Sequence, residues 1–220
     1  MIRKADKKDI PAIQALAGIA FRETYRTILS PGQMEYMMEM MYSEESLARQ
    51  MGEERNVFFL EDGKGYVSYR PDGRTEDGRP RFHLEKLYVL PDFQKTGLGK
   101  RLFDTVVQAV RGATIRQQPA EEHIQQDRPS SGDLARQDLQ PAEEHIQQDR
   151  PSAGEQAPRH QRQDQAPADQ APGARIELNV NRNNPALGFY EHIGMRKDRE
   201  GDFPIGNGYY MNDYIMALDL

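Results

Sequence analysis

Between Phe82 and Arg111 the chain reads FHLEKLYVLPDFQKTGLGKRLFDTVVQAVR, and the middle of that segment has the residue types for gripping a phosphorylated anion. Gln94-Lys95-Thr96-Gly97-Leu98-Gly99-Lys100 carries two glycines, which leave room for a ligand against the backbone. If a helix begins there, its unpaired first-turn amides and the positive end of its dipole point at the same place. Lys95, Lys100 and Arg101 add charge, so the chemistry indicated is pyrophosphate binding. A P-loop is excluded, because Gly99-Lys100 is followed by Arg101 and position 94 is not glycine. A dinucleotide fingerprint is excluded because position 102 is Leu.

The elements that must hold this loop are legible on either side. Phe82 to Leu90 is β-branched, aromatic and aliphatic and stops at Pro91-Asp92, the pattern of a strand. Leu98, Leu102, Phe103, Val106, Val107 and Val110 recur at the spacing of a helix with one buried face. Upstream, Ile2 to Lys4 reads as a short strand. Asp6 and Asp9 cap a helix with Ile10, Ile13, Ala17, Ala20 and Phe21 on one face. Ser30-Pro31-Gly32-Gln33 forms a capping box for a second helix with a Met34, Met37, Met38, Met41 core stripe, and Ser43 caps a third ending near Gly52. Val57 to Glu61 and Gly65 to Arg70 make a hairpin about Asp62-Gly63, followed by a polar loop from Pro71 to Gly78.

Composition changes after Arg111. Residues 116–172 hold no aromatic residue and are rich in Gln, Pro, Asp, Glu, Ala and Arg, a makeup that cannot bury enough apolar surface to offset the entropy of ordering. Pro119 to Ser130 recurs letter for letter as Pro141 to Ser152, too few copies for a solenoid. This predicts a disordered, locally duplicated insertion, with a helical turn or two around each EEHIQQ. Joining Ile115 to Glu177 restores a continuous helix, strand and helix, so the insertion interrupts one domain spanning 1–220. Ile176 to Val180 reads as a strand, and Asn184 with Pro185 starts a helix that Gly194 ends. Met195 to Glu200 and Tyr209 to Leu220 follow as antiparallel strands, with Gly201 to Gly208 as their loop.

Two segments resemble signatures of the GNAT superfamily of N-acetyltransferases. Gln94, Gly97 and Gly99 match [QR]-x-x-G-x-[GA], preceded by the L-Y-V-x-P of Leu87 to Pro91. Asn183, Ala186, Phe189, Tyr190 and Gly194-Met195 match N-x-x-A-x-x-[FL]-Y-x-x-x-G-[FM]. The resemblance covers residues 1–115 and 173–220. It implies an α/β (α+β) fold: a mixed, mostly antiparallel sheet whose parallel central strands splay apart, with helices on both faces.

It also implies acetyl-CoA as co-substrate. Leu87, Tyr88 and Val89 would hold pantetheine, Gln94, Lys95, Thr96, Gly97, Leu98, Gly99 and Lys100 the pyrophosphate, and Asn183 the cofactor's other side. A backbone amide near Tyr88 would stabilise the oxyanion. The Leu84-Glu85 context is similar to polyamine-type acetyltransferases, which makes Glu85 the general base, with His83 the alternative. Glu85 would equally suit an ion pair with Lys86. Tyr190 would protonate the leaving thiolate, although its ring could simply pack. The acceptor groove implied by the family carries Tyr25, Glu35, Tyr36 and Glu39 beside Glu85, suited to a small cationic amine. A protein amine, or a non-catalytic acyl-CoA-binding scaffold, stays open at this point.

Absence of cysteine removes disulfides, thiolate metal sites and thiol nucleophiles and fits a reducing compartment. No metal site is expected: His123 and His145 repeat without a second ligand set. The start is charged, no stretch approaches the roughly 20 apolar residues of a membrane span, and the net charge of −6 is concentrated in the insertion. These features predict a cytoplasmic protein binding neither membrane nor nucleic acid. Homodimers are common among proteins of this resemblance.

Overall fold

A computed structural model describes residues 1–117 and 173–220. Their strands are β1 (Arg3–Lys4), β2 (Val57–Glu61), β3 (Gly65–Arg74), β4 (Pro80–Val89), β5 (Arg175–Asn181), β6 (Arg196–Gly206) and β7 (Tyr209–Asp219). The helices are α1 (Ile10–Tyr25), α2 (Pro31–Tyr42), α3 (Glu44–Gly52), α4 (Leu98–Gln117) and α5 (Leu187–His192). One 7-stranded sheet runs in the order β1-β2-β3-β4-β5-β7-β6. Every neighbouring pair is antiparallel except β4 and β5, which are parallel.

Each face of the sheet buries its own core. Under α4 and α5 lie Phe82, Leu84, Leu102, Val106, Ile176 and Leu178; under α1 to α3 lie Ile13, Phe21, Leu47, Phe58, Leu60 and Tyr66. Leu102 and Val106 are fully buried, as the helical spacing predicts. Each such side chain contributes about 2 kcal/mol by leaving water.

A bulge in β4 decides which β4 residues face which core. Tyr69 pairs with Leu84 and Ser68 with Lys86, which leaves Glu85 as the extra residue. Side chains alternate across a strand, so the extra residue reverses the alternation. Phe82 and Leu84 therefore face α4, while Lys86 and Tyr88 face the helices on the other side.

Several sequence expectations are corrected at element ends. Asp6 caps a short 3₁₀ turn at Lys7–Asp9 that leads into α1, with Lys8 N donating to Asp6 Oδ1 at 2.8 Å and Asp6 N to Asp9 Oδ2 at 2.9 Å. Ser30 Oγ accepts from Gln33 N at 3.2 Å, but Gln33 does not close the box. Its Nε2 donates to Tyr210 O at 2.8 Å instead, tying α2 to β7. Strand β3 extends to Arg74, consuming half of the expected polar loop. The expected loop from Gly201 to Gly208 is mostly strand: β6 reaches Gly206, and Asn207 and Gly208, with φ of 50° and 75°, make the turn. Positive φ at both central residues is what an Asn-Gly hairpin turn requires.

Helix α5 starts at Leu187, later than Asn184 and Pro185 suggest. The Asn184 side chain accepts from Ala186 N at 2.8 Å and forms a turn before the helix. Helix α4 extends through Gln117, so positions 116 and 117 of the expected insertion are helical. The rest of that segment, with both repeats and His123 and His145, lies outside the described residues. Among the described residues no helix is long and apolar enough to cross a membrane.

Candidate active site

The site begins where β4 and β5 part. Their parallel pairing runs from Arg81–Arg175 to His83–Glu177 and then stops, although β4 continues to Val89 and β5 to Asn181. On its other edge β4 stays bound to β3, with Tyr66 opposite Tyr88 and Leu90 N donating to Lys64 O at 2.9 Å. Amides alternate in direction along a strand, so those of Leu87 and Val89 turn toward the gap while that of Tyr88 turns to β3. Leu87 and Val89 are thus the amides near Tyr88 that could meet an oxyanion or a pantetheine amide.

The chain leaves this edge through a 3₁₀ turn, Pro91–Phe93, and Gln94 Nε2 reaches back to Val89 O at 3.2 Å. Lys95 and Gly97 take φ of 60° and 81°. Glycine is required at 97 by conformation, since left-handed backbone strains a side chain whatever the space. At Gly99 a Cβ would meet the Phe189 ring of α5 at 3.4 Å, an ordinary contact, so the glycine there leaves open space over the helix start rather than relieving strain. The first α4 helical bond runs from Arg101 N to Gly97 O at 3.1 Å, so the amides of Leu98, Gly99 and Lys100 are left free of helical partners. Lys100 is held by Asp104 at 2.7 Å, and Arg101 lies 3.7 Å from Glu61. A coenzyme A diphosphate fits this cradle: open amides, a helix start and adjacent cations.

Tyrosines from both faces of the sheet meet at the gap. Tyr190 belongs to the core under α4 and α5 and Tyr25 to the core under α1. Yet these phenols feel one another across the sheet: Tyr25 raises the pKa of Tyr190, and Tyr25 and Tyr190 both raise that of Tyr88. Burial is the larger cause in each case, and it pushes all three hydroxyls above the ordinary phenol value, so they are donors at neutral pH. Tyr25 interacts with the Tyr88 hydroxyl and receives a long hydrogen bond, 3.5 Å, from Asn184 Nδ2.

The expected acidic groups are distributed differently. Glu85 accepts from Arg70 Nε at 2.6 Å, and Arg70 Nη1 also donates to Asp72 at 2.8 Å. Lys86, its expected ion-pair alternative, instead donates to Gln50 Oε1 at 2.7 Å, and burial lowers its pKa to about 8. His83 is pushed below the ordinary imidazole value by burial, hence neutral at pH 7. Glu35 accepts from Arg22 Nη2 at 2.9 Å, which holds its carboxyl below the usual range. It lines a cleft of about 430 Å³ between α1, the start of α2 and Pro91. Tyr36 donates to Ile205 O at 2.8 Å and so anchors the β6–β7 hairpin. Glu39 is exposed on α2. Asn183 is exposed in the turn after β5, its N–H donating to Asn181 Oδ1 at 3.0 Å.

Asp213 was missed in the sequence. It lies on β7 opposite Asn181, is 5% exposed, and accepts from Asn179 Nδ2 at 3.3 Å. Among the described residues its other oxygen has no donor. The available signal was period two: Met211, Asp213 and Ile215 share one face of a strand, which puts a carboxylate between two core residues. Among the described residues no cluster of His, Cys, Asp and Glu could hold a metal ion.

The acetyltransferase (GNAT) domain family matches residues 26–125. An uncharacterized N-acetyltransferase in the pepI 3' region of Lactobacillus delbrueckii subsp. lactis is 28% identical over 109 residues, 47% of this chain. The match takes in 63% of that protein's length. Among solved structures, the PaiA N-acetyltransferase of Thermoplasma acidophilum in complex with coenzyme A superposes with a TM-score of 0.59 at 15% identity, over 100% of this chain and 98% of that one. The ribosomal-protein-S18-alanine N-acetyltransferase of Escherichia coli gives 0.51 at 16% identity, over 100% and 92%. At these identities the structural likeness speaks to the fold.

Proposed function

We propose that this chain, whose fold is that of the GNAT superfamily, transfers an acetyl group from acetyl-CoA directly to a primary amine within a ternary complex. One observation carries the reading. Parallel strands part beyond His83 and Glu177, and the gap they open leads to a helix start whose amides are unpaired. A thioester with a diphosphate tail suits both features. The tail lies on Gln94 to Lys100, and the pantetheine amides pair with the strand edge at Leu87 and Val89. Asn183 flanks the cofactor from the far side.

Acetyl transfer needs a neutral amine, a stabilised oxyanion and a proton for the thiolate. The β4 amides at the gap serve the oxyanion. Tyr190, held protonated by burial, serves the sulfur. Beside Tyr25 at the gap, Asp213 keeps a carboxylate oxygen without a donor among the described residues, whereas Glu85 is paired with Arg70. This favours a small cationic amine of the polyamine type.

Calorimetry with acetyl-CoA, followed by thiol release over polyamines, aminoglycosides, amino acids and peptides, tests the proposal. Tight binding with turnover of a polyamine is the expected result. Turnover of peptides alone would move the acceptor to proteins. Binding without any turnover would make the chain an acyl-CoA-binding scaffold. An absence of binding heat would sink the reading altogether.

A further inference from the structure

We propose that Asp213 is the base that takes the proton from the acceptor amine. The inference rests on the N-acetyltransferase reading and concerns the residue on which proton removal depends. A base needs a carboxylate oxygen that is free to accept, placed where the amine arrives. Glu85 accepts from the Arg70 guanidinium through Oε1 at 2.6 Å, and Arg70 also holds Asp72 at 2.8 Å, so this carboxylate belongs to an ion-pair group apart from the tyrosines at the gap. Asp213 is arranged the other way. Oδ2 is steadied by Asn179 at 3.3 Å, while Oδ1, buried, has no donor among the described residues. An unsatisfied buried carboxylate oxygen is costly, and an arriving ammonium group would satisfy it.

Oδ1 itself is buried, but the surface opens close to the carboxylate. Asn179 is exposed although every other residue of β5 is buried or half-buried, so the sheet is uncovered at that point, beside Asp213. The groups facing the carboxylate come from several elements. The Tyr25 hydroxyl from α1 feels its charge and bridges toward Tyr88 on β4. Arg182, after β5, lowers its pKa but is itself engaged with Asp202 of β6 at 3.0 Å. Burial outweighs Arg182 and Asn179 and raises the carboxyl above the ordinary aspartate value, which strengthens it as a base near neutrality.

The ammonium nitrogen gives one proton to Asp213 Oδ1, and its freed electron pair forms the C–N bond at the thioester carbonyl. The tetrahedral oxyanion collapses, the C–S bond breaks, and Tyr190 protonates the departing thiolate. The second proton shed by nitrogen restores the Tyr190 hydroxyl, and Asp213 releases its proton to solvent.

The test is kcat/KM against pH for the full chain, with spermidine and a lysine peptide as acceptors and acetyl-CoA affinity as the control for folding. Asp213→Asn is expected to lower kcat/KM by about 100-fold or more and to abolish the acidic limb of the profile, with acetyl-CoA affinity within about twofold. Glu85→Gln is expected to lower the rate while keeping that limb. A limb that survives in Asp213→Asn, or vanishes in Glu85→Gln, overturns the proposal. If Asp213→Asn does not bind acetyl-CoA, Asn179→Ala decides. Losing that hydrogen bond should move the acidic limb to higher pH, and an unmoved limb overturns the assignment. Wild-type protein that binds acetyl-CoA but acetylates neither acceptor nor any other amine removes the N-acetyltransferase reading, and this inference with it.

Discussion

Replacing Lys86 with methionine should flatten the rise of stability with pH. The Lys86 ammonium is buried on the α3 side of the sheet. It donates to Gln50 Oε1 at 2.7 Å, lies 5.8 Å from the ring centres of Tyr42 and Phe58, and makes no ion pair among the described residues. Burial lowers its pKa from 10.5 to about 8. Below the folded value the lysine is charged in both states and contributes no slope. Between the folded and the unfolded value the unfolded chain holds one more proton than the folded one, so stability increases as pH rises. At about 1.4 kcal/mol per unit, that interval is worth about 3 kcal/mol. Above an ordinary phenol pKa the sign reverses. Tyr42, Tyr66 and Tyr88 are raised by burial, so the unfolded chain loses phenolic protons that the folded chain keeps. The clean window therefore runs from about 8 to about 10. Urea unfolding across it should show wild-type stability rising by about 2–3 kcal/mol and Lys86→Met nearly flat. The variant also orphans Gln50 Oε1, a pH-independent loss of about 1–3 kcal/mol that shifts its curve without tilting it. A variant rising as steeply as wild type would refute the burial argument.

Other outcomes follow from the same geometry. Tyr190→Phe should reduce kcat by about 10- to 100-fold with acetyl-CoA affinity unchanged by calorimetry, because only the transferable proton is removed. Gly97→Ala should weaken acetyl-CoA binding by about tenfold, since the φ of 81° strains a side chain by about 1–2 kcal/mol and relaxation turns the cradle amides away. Tyr42→Phe breaks the 2.9 Å bond that Tyr66 donates to it, leaving a fully buried hydroxyl unpaired. The expected cost is about 1–3 kcal/mol in chemical unfolding, with turnover little affected.

The fold was legible wherever one periodicity ruled. The α4 stripe through Leu102 and Val106 and the turn residues of the β2–β3 hairpin are local signals, and both elements form where the sequence puts them. Errors came where an element is fixed by a distant partner. Gln33 leaves its capping role for the Tyr210 carbonyl, and β6 runs on to Gly206 because β7 pairs with it to the end. The helix start with its open amides was readable because its glycines and the helical stripe lie next to one another in sequence.

The surroundings of the carboxylates were less readable, for a reason specific to this sheet. Glu85 looks like a free strand carboxylate in one dimension, but the bulge that makes it the extra residue of β4 also turns it onto Arg70, a neighbour across the strand pair. Asp213 looks like one acid in a polar hairpin. Only the order β4-β5-β7 brings it beside Asn179 and Tyr25 at the gap. Parity along β7 does carry a trace: a carboxylate between Met211 and Ile215 must be buried if they are, and burying an unpaired carboxylate costs several kcal/mol. An arriving ammonium would offset that cost. The same reasoning separates Asp213 from Glu177, which is equally buried but fully taken up by Arg175 and Arg199 at 2.8 Å each, and so has no oxygen left to accept a proton from substrate.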